Sequence, residues 1–255
     1  MSPDDHDASV QRSFERQVHL FEGDDAVFAR RAADVAWAGD VEPDWIALDV
    51  ACGAAHNAQA LASHVRQAVG IDITRAVLES GRERLASEGV TNVLLQEGDA
   101  AAMPFLDDSF DLVVCRASLH HFEDPARQVR EMARVCRPNG RLVLTDMVAA
   151  PPDTRARFDE VHRWIDPSHD RVLVPDELDD MVARCVGPVV RSDVGAPIVL
   201  SLDAFMTDQS DRERVVAALE AEIDGGAPTG FAPSVGETGI DVRITSMVVH
   251  ASPVA

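Results

Sequence analysis

Between residues 45 and 145, short apolar runs alternate with stretches whose apolar residues recur at helical spacing, a pattern that predicts repeated strand–helix units. The first run, Trp45-Ile46-Ala47-Leu48-Asp49-Val50, reads as a strand followed by a small-residue turn and a helix through Leu61. The second strand covers Gln67 to Ile71 with Asp72 at its end, and Thr74 can cap a helix that stops at Gly89. Strands follow at Val93 to Gln96, Phe110 to Cys115 and Arg141 to Thr145, the last two separated by a helix opening with Asp124-Pro125. Strands alternating with helices imply a parallel sheet covered on both faces.

Outside this core the rhythm changes. Residues 1 to 8 are polar and read as frayed, whereas Val10, Phe14, Val18, Phe21, Val27, Ala33 and Ala36 predict two short helices broken near Gly23. Beyond 150, helices are expected over 153–165 and 176–186, a short strand from Val189, a polar helix over 208–223 and a closing strand over 240–250, with 225–239 as a Gly- and Pro-rich loop. The expected architecture is α/β and Rossmann-like: one domain over 1–255, a mostly parallel seven-stranded sheet, an N-terminal helical flap over 1–40 and a helical cap over 150–187.

Charge narrows the partners. The 255 residues carry 23 Lys+Arg against 44 Asp+Glu, a net charge of −21, and no window is strongly basic. Nucleic acid and anionic membrane surfaces, which require basic patches, are therefore not expected. Every basic residue is Arg, and neither Lys nor Tyr occurs, which excludes Schiff-base chemistry and a phenolic acid. The four cysteines, Cys52, Cys115, Cys136 and Cys185, lack Cys-x-x-Cys spacing and lie in apolar runs, so buried free thiols in a reducing, cytoplasmic setting are expected and a metal site is not. No apolar run approaches the length of a membrane helix.

Parallel doubly wound sheets bind ligands beyond the carboxyl ends of their strands, where strand order reverses. Candidate residues occupy those positions. Asp49-Val50-Ala51-Cys52-Gly53-Ala54-Ala55-His56 turns from the first strand into a helix N-terminus, Asp72 ends the second strand, and Gly98-Asp99-Ala100 follows the third. His120 and His121 follow the fourth strand and Asp146 the fifth. His56 reads as a structural helix opener, and Met103 and Phe105 as core residues.

Leu48-Asp49-Val50-Ala51-Cys52-Gly53, Gly70-Ile71-Asp72, Gly98-Asp99-Ala100 with Met103-Pro104-Phe105, Asp107 to Arg116, Leu119-His120-His121-Phe122 and Arg137-Pro138-Asn139-Gly140 together resemble class I S-adenosylmethionine (SAM)-dependent methyltransferases, in particular the UbiE-like, type 11 group. Asp166-Pro167-Ser168-His169 and Asp211-Arg212-Glu213 extend the resemblance to the YcgJ-like subgroup. The resemblance implies SAM as cofactor, with Asp49, Ala51, Gly53, Asp72, Ile73, Asp99, Ala100 and Arg116 in its site. Asp72 would take the ribose, Asp99 the adenine amino group and the first loop the methionine portion. The family's Gly-x-Gly-x-Gly is here Ala51, Gly53 and Ala55, so the added methyls are expected to crowd the methionine end.

The implied function is methyl transfer to a small molecule, with a hydroxyl as acceptor. His120, or else His121, would be the base and Asp146 its partner. Alternatives are non-methylating chemistry on bound SAM, such as cyclisation or decarboxylation, and a non-catalytic binding module. A monomer and a homodimer are both compatible with the sequence. His162, Asp166, His169 and Arg171 are candidates to touch substrate; alternatively, Asp159, Glu160 and Arg163 form a solvated helix face and Asp166-Pro167-Ser168 a plain turn.

Overall fold

The computed structural model describes residues 3–17 and 35–254. The chain runs α1 (Pro3–Gln17), β1 (Ile46–Val50), α2 (His56–Ala62), β2 (Gln67–Asp72), α3 (Arg75–Ser87), β3 (Val93–Glu97), β4 (Phe110–Arg116), α4 (Pro125–Val135) and β5 (Cys136–Met147). It continues through α5 (Arg155–Ile165), α6 (Pro175–Cys185), β6 (Val189–Val194), β7 (Ile198–Ser201), α7 (Leu202–Phe205), α8 (Arg212–Ile223), β8 (Ser234–Val235), β9 (Ile240–Ile244) and β10 (Ser246–Ala251).

Seven strands form one sheet in the order β3-β2-β1-β4-β5-β10-β6. The pairs from β3 to β5 are parallel, and β10 runs antiparallel to both β5 and β6. Chain order reverses between β1 and β4, so the crevice for a ligand opens beyond Val50 and Arg116. Strand β1 is apolar almost throughout because both its faces are covered: Ala47, Leu48 and Val50 are fully enclosed. Enclosing a Leu such as Leu48 is worth about 1.5–3 kcal/mol. Gly70 lets the loop after β1 pack onto β2, since a Cβ there would stand 2.7 Å from Cys52 Sγ and 2.8 Å from Leu95. Helix α4 starts as its sequence predicts, with Asp124 accepting from the Arg127 N–H at 3.3 Å and Pro125 in the first turn.

Four expectations change. Helix α1 starts at Pro3 instead of leaving 1–8 frayed; the second expected helix of the flap falls largely on 18–34, outside the described residues. The closing strand of 240–250 is two strands separated by Thr245: β10 joins the main sheet, while β9 pairs with β7 and β8 in a second, three-stranded sheet. The helix placed over 208–223 begins at Arg212, where the Asp211 carboxylate caps it. Of the two helices in 150–187, α6 packs on the main sheet through Leu178, Met181 and Val182, and α5 packs on α8 beside the crevice. All four cysteines are free; Cys185 is half-buried, because its helix turns it toward the Arg130 guanidinium.

Candidate active site

A cavity of about 640 Å³ opens beyond the carboxyl ends of β1, β2, β4 and β5 and extends to the second sheet. Ala51, Gly53, Asp72, Ile73, Asp99, Ala100 and Arg116 all line it. Asp72 accepts from the Gly53 N–H at 2.9 Å and the Thr74 N–H at 2.8 Å, one on each oxygen. Burial raises its pKa above the ordinary carboxylate value against the pull of these donors. Asp99 is turned by the Ala101 N–H at 2.7 Å. Arg116 donates to Asn57 at 3.1 Å and lies over the Trp37 ring at 5.3 Å.

Asp49 is the correction on this side. It does not line the cavity; it lies enclosed beneath the loop, one oxygen accepting from the Ala58 N–H at 3.1 Å and the other without a partner. Burial lifts its pKa to about 7, opposed by Ala58, Asn57 and Arg116. Ala51 and Ala55 sit at φ 53° and 64°, the left-handed region, yet Ala51 lines the cavity and Ala55 is fully enclosed elsewhere. His56, expected to be structural, lines the cavity from the first turn of α2. Met103 is core, as its surroundings suggested.

The other half of the cavity is built on histidines. β4 and β5 lie side by side with Arg116 opposite Thr145, so a short helical turn over Leu119–His121 brings His120 against Asp146. The His120 Nδ1 to Asp146 Oδ1 distance is 2.5 Å. Asp146 is fixed by backbone N–H groups of Ser118, Leu119 and Met147 at 3.0, 2.5 and 2.7 Å. Burial disfavours the imidazolium, but Asp146 outweighs it and holds the His120 pKa above the ordinary histidine value. Burial likewise works to raise Asp146, and His120 with the backbone donors brings it below the carboxylate range.

His121 also lines the cavity but is held by a different partner. Its Nδ1–H donates to Ser168, both carbonyl and hydroxyl lying at 3.1 Å, while the Ser168 hydroxyl donates to Asp166 at 2.6 Å. Burial and then the charge of His120 lower its pKa to about 4, so it is neutral near pH 7. His162 and His169 stack with ring centroids 4.1 Å apart, and His162 stands 5.8 Å from His120. His162 and Asp166 line the cavity; His169 and Arg171 do not. Asp159 leaves the expected solvated face of α5: it is buried and accepts from His169 at 2.8 Å and the Val172 N–H at 2.9 Å. Asp166-Pro167-Ser168 is a turn that also anchors His121.

The apolar wall comes from the second sheet, through Ile198, Leu200 and Ile244, with Phe205 and Met206 beside it. Sequence reasoning missed these residues; the alternation Ile198-Val199-Leu200 was their only signal. Helix α1 closes the opening with Val10 and Phe14, and Gln11 donates to the Ile73 carbonyl at 2.8 Å. Among the described residues, no group of three or more His, Cys, Asp or Glu is placed to hold a metal ion, and no helix is long and apolar enough to cross a membrane.

A switch-point cavity with acids at the ends of β2 and β3 defines the class I methyltransferase fold. Residues 48–144 match the methyltransferase domain family, and through this core the chain is similar to class I SAM-dependent methyltransferases. It is similar to the uncharacterized methyltransferase YcgJ of Bacillus subtilis (strain 168), 40% identical over 125 residues, which are 49% of each chain. The crystal structure of YcgJ superposes with a TM-score of 0.75 at 24% identity, covering 89% of this chain and 99% of that one. A demethylmenaquinone methyltransferase of Halalkalibacterium halodurans is 36% identical over 110 residues, 42% of this chain and 45% of its own. The chain thus spans about half the length of the curated relatives it matches. The [4+2]-cyclase SpnF shares the fold, with a TM-score of 0.65 at 19% identity over 98% of this chain and 97% of its own.

Proposed function

We propose that the protein is a SAM-dependent methyltransferase acting on a hydroxyl group of a small apolar molecule. The observation that carries this is the buried His120–Asp146 pair on the wall of the cavity that Asp72 and Asp99 also line. The residues present fit the cofactor. The Asp72 carboxylate at the end of β2 suits a ribose diol, Asp99, Ile73 and Ala100 suit the adenine, and Gly53 with Ala51 leaves backbone open to the methionine portion.

Bound there, SAM supplies an activated methyl group on a sulfonium, so the chain has only to position a nucleophile, exclude water and take a proton. Asp146 accepts the Nδ1–H of His120, which fixes the tautomer and leaves Nε2 to take the proton of the acceptor hydroxyl. As the ring becomes cationic, Asp146, itself held by three backbone N–H groups, stabilises it. Helix α1 and the apolar second sheet keep water out.

Calorimetry on Asp72→Ala should show SAM affinity reduced by about ten- to a hundredfold, the worth of charge-assisted hydrogen bonds to the ribose. Turnover should release S-adenosylhomocysteine in equal amount to methylated product. Tight SAM binding without S-adenosylhomocysteine from any hydroxyl acceptor would instead favour non-methylating chemistry. Absence of SAM binding would favour a binding module.

A further inference from the structure

Two of the histidines on the cavity wall, His120 and His162, are wired in opposite senses. His120 gives its Nδ1–H to Asp146, so its Nε2 faces the cavity as an acceptor. His162 also lines the cavity, but its Nδ1 is enclosed without a partner, packed against the stacked ring of His169. A neutral imidazole has one N–H, and an enclosed N–H without an acceptor costs more than an enclosed lone pair without a donor. The proton of His162 therefore sits on Nε2, which makes that nitrogen a donor toward the cavity. Burial, followed by the neighbouring His169 and His120, keeps the His162 ring neutral. The two rings are 5.8 Å apart and within 25° of parallel, so one acceptor and one donor stand side by side.

A lone hydroxyl satisfies only His120. Among the described residues Arg116 is the one Arg on the cavity, engaged by Asn57 and Trp37, and the charge of His120 is already met by Asp146 at 2.5 Å, so a carboxylate or phosphate on the acceptor finds no unpaired counter-charge near His162. The remaining wall is apolar, through Ile198, Leu200, Phe205 and Ile244.

We propose that the methyl acceptor is an apolar, uncharged molecule with two oxygens on adjacent carbons, such as a catechol, a 1,2-diol or an α-hydroxyketone, and that His162 recognises the oxygen that is not methylated. This rests on the hydroxyl-methylation reading above and adds a specificity-determining residue to it.

Isomer pairs of equal composition test it: catechol against hydroquinone, and trans-cyclohexane-1,2-diol against cyclohexane-1,4-diol, titrated into protein saturated with S-adenosylhomocysteine. The adjacent isomer should bind about tenfold more tightly, the worth of one hydrogen bond at a buried donor. His162→Leu should bring the two isomers within about twofold by weakening only the adjacent one, and His162→Gln, which keeps a donor, should retain part of the preference. Should His162→Leu fail to fold, the wild-type preference and its partial retention in His162→Gln still decide the matter. Equal binding of both isomers by the wild type, binding of neither, or full preference in His162→Leu overturns the proposal. Methylation without isomer preference would overturn it while sparing the role of His120; isomer preference without any S-adenosylhomocysteine formation from SAM would do the reverse.

Discussion

Asp49 carries a carboxyl whose folded pKa of about 7 stands above its ordinary 3.8, so folding favours its protonated form. The stability it contributes is complete below pH 3.8 and is lost as pH rises through 7, a change of up to about 4 kcal/mol. Urea titrations of Asp49→Asn and wild type should therefore diverge with pH, the variant gaining relative to wild type between pH 4 and 8; parallel curves would contradict the enclosed site. His120 behaves oppositely in function. Its raised pKa means that the deprotonated base appears only above the ordinary histidine range, so kcat/KM should rise along a limb displaced upward from pH 6.5. Asp146→Asn removes the charge that raises it, and the limb should move to lower pH. The positions of Asp72, Asp99, His120 and Asp146 were legible because a parallel strand ends at the crevice wherever it runs. Asp49 was misplaced because one residue of chain separates a group on the cavity from one beneath it. Asp159 was misread because a helix whose neighbours α8 and the 166–172 loop are unknown has no assignable solvent face.

In the loop between β1 and α2, alanine methyls were expected to crowd the cofactor. The structure adds a backbone cost, since Ala51 and Ala55 hold left-handed φ angles, and of the two it places Ala51 on the cavity. Relief of about 1–2 kcal/mol of that strain exceeds the about 0.4–1 kcal/mol of unfolded-chain entropy that glycine adds, so Ala55→Gly should stabilise the protein by about 0.5–1 kcal/mol. Because Ala55 does not line the cavity, SAM affinity of Ala55→Gly should be unchanged in calorimetry; a shift in affinity would extend the crowding account from Ala51 to Ala55. Helix α1 was expected as part of a flap, and in the structure its Gln11 and Phe14 meet the cavity mouth. Stopped-flow displacement of SAM from Gln11→Ala and Phe14→Ala should show faster release with little change in thermal stability. The βα units were legible because their strands are enclosed on both faces and so read as continuous apolar runs. The second sheet was not: β7 is four residues long, β8 two, and both depend on β9, whose sequence merges with β10 across Thr245.

Across the whole molecule, a chain of charge −21 encloses, among the described residues, four histidines, His121, His162, His169 and His250, whose pKa values are lowered by burial first and by neighbouring charge second. Unfolding lets each take up a proton near pH 6.5, so the stability they contribute is present above that value and is lost as pH falls toward 4. Their replacement should flatten the acid side of the stability profile, with His121→Phe giving the clearest case because its folded value lies near 4. The same enclosure links stability to function: the βα core places Asp72 and Asp99, the acids proposed for the cofactor, on one side of the cavity, and His120, His121 and His162, carried by segments that only the folded chain brings together, form the other. The central claim is that His120, wired through Asp146, takes the acceptor's proton. It is tested most directly by measuring turnover and SAM affinity together in His120→Ala. Turnover should fall by about 10²- to 10⁴-fold while the SAM dissociation constant stays within a factor of two of wild type. Turnover unchanged in His120→Ala would contradict the account.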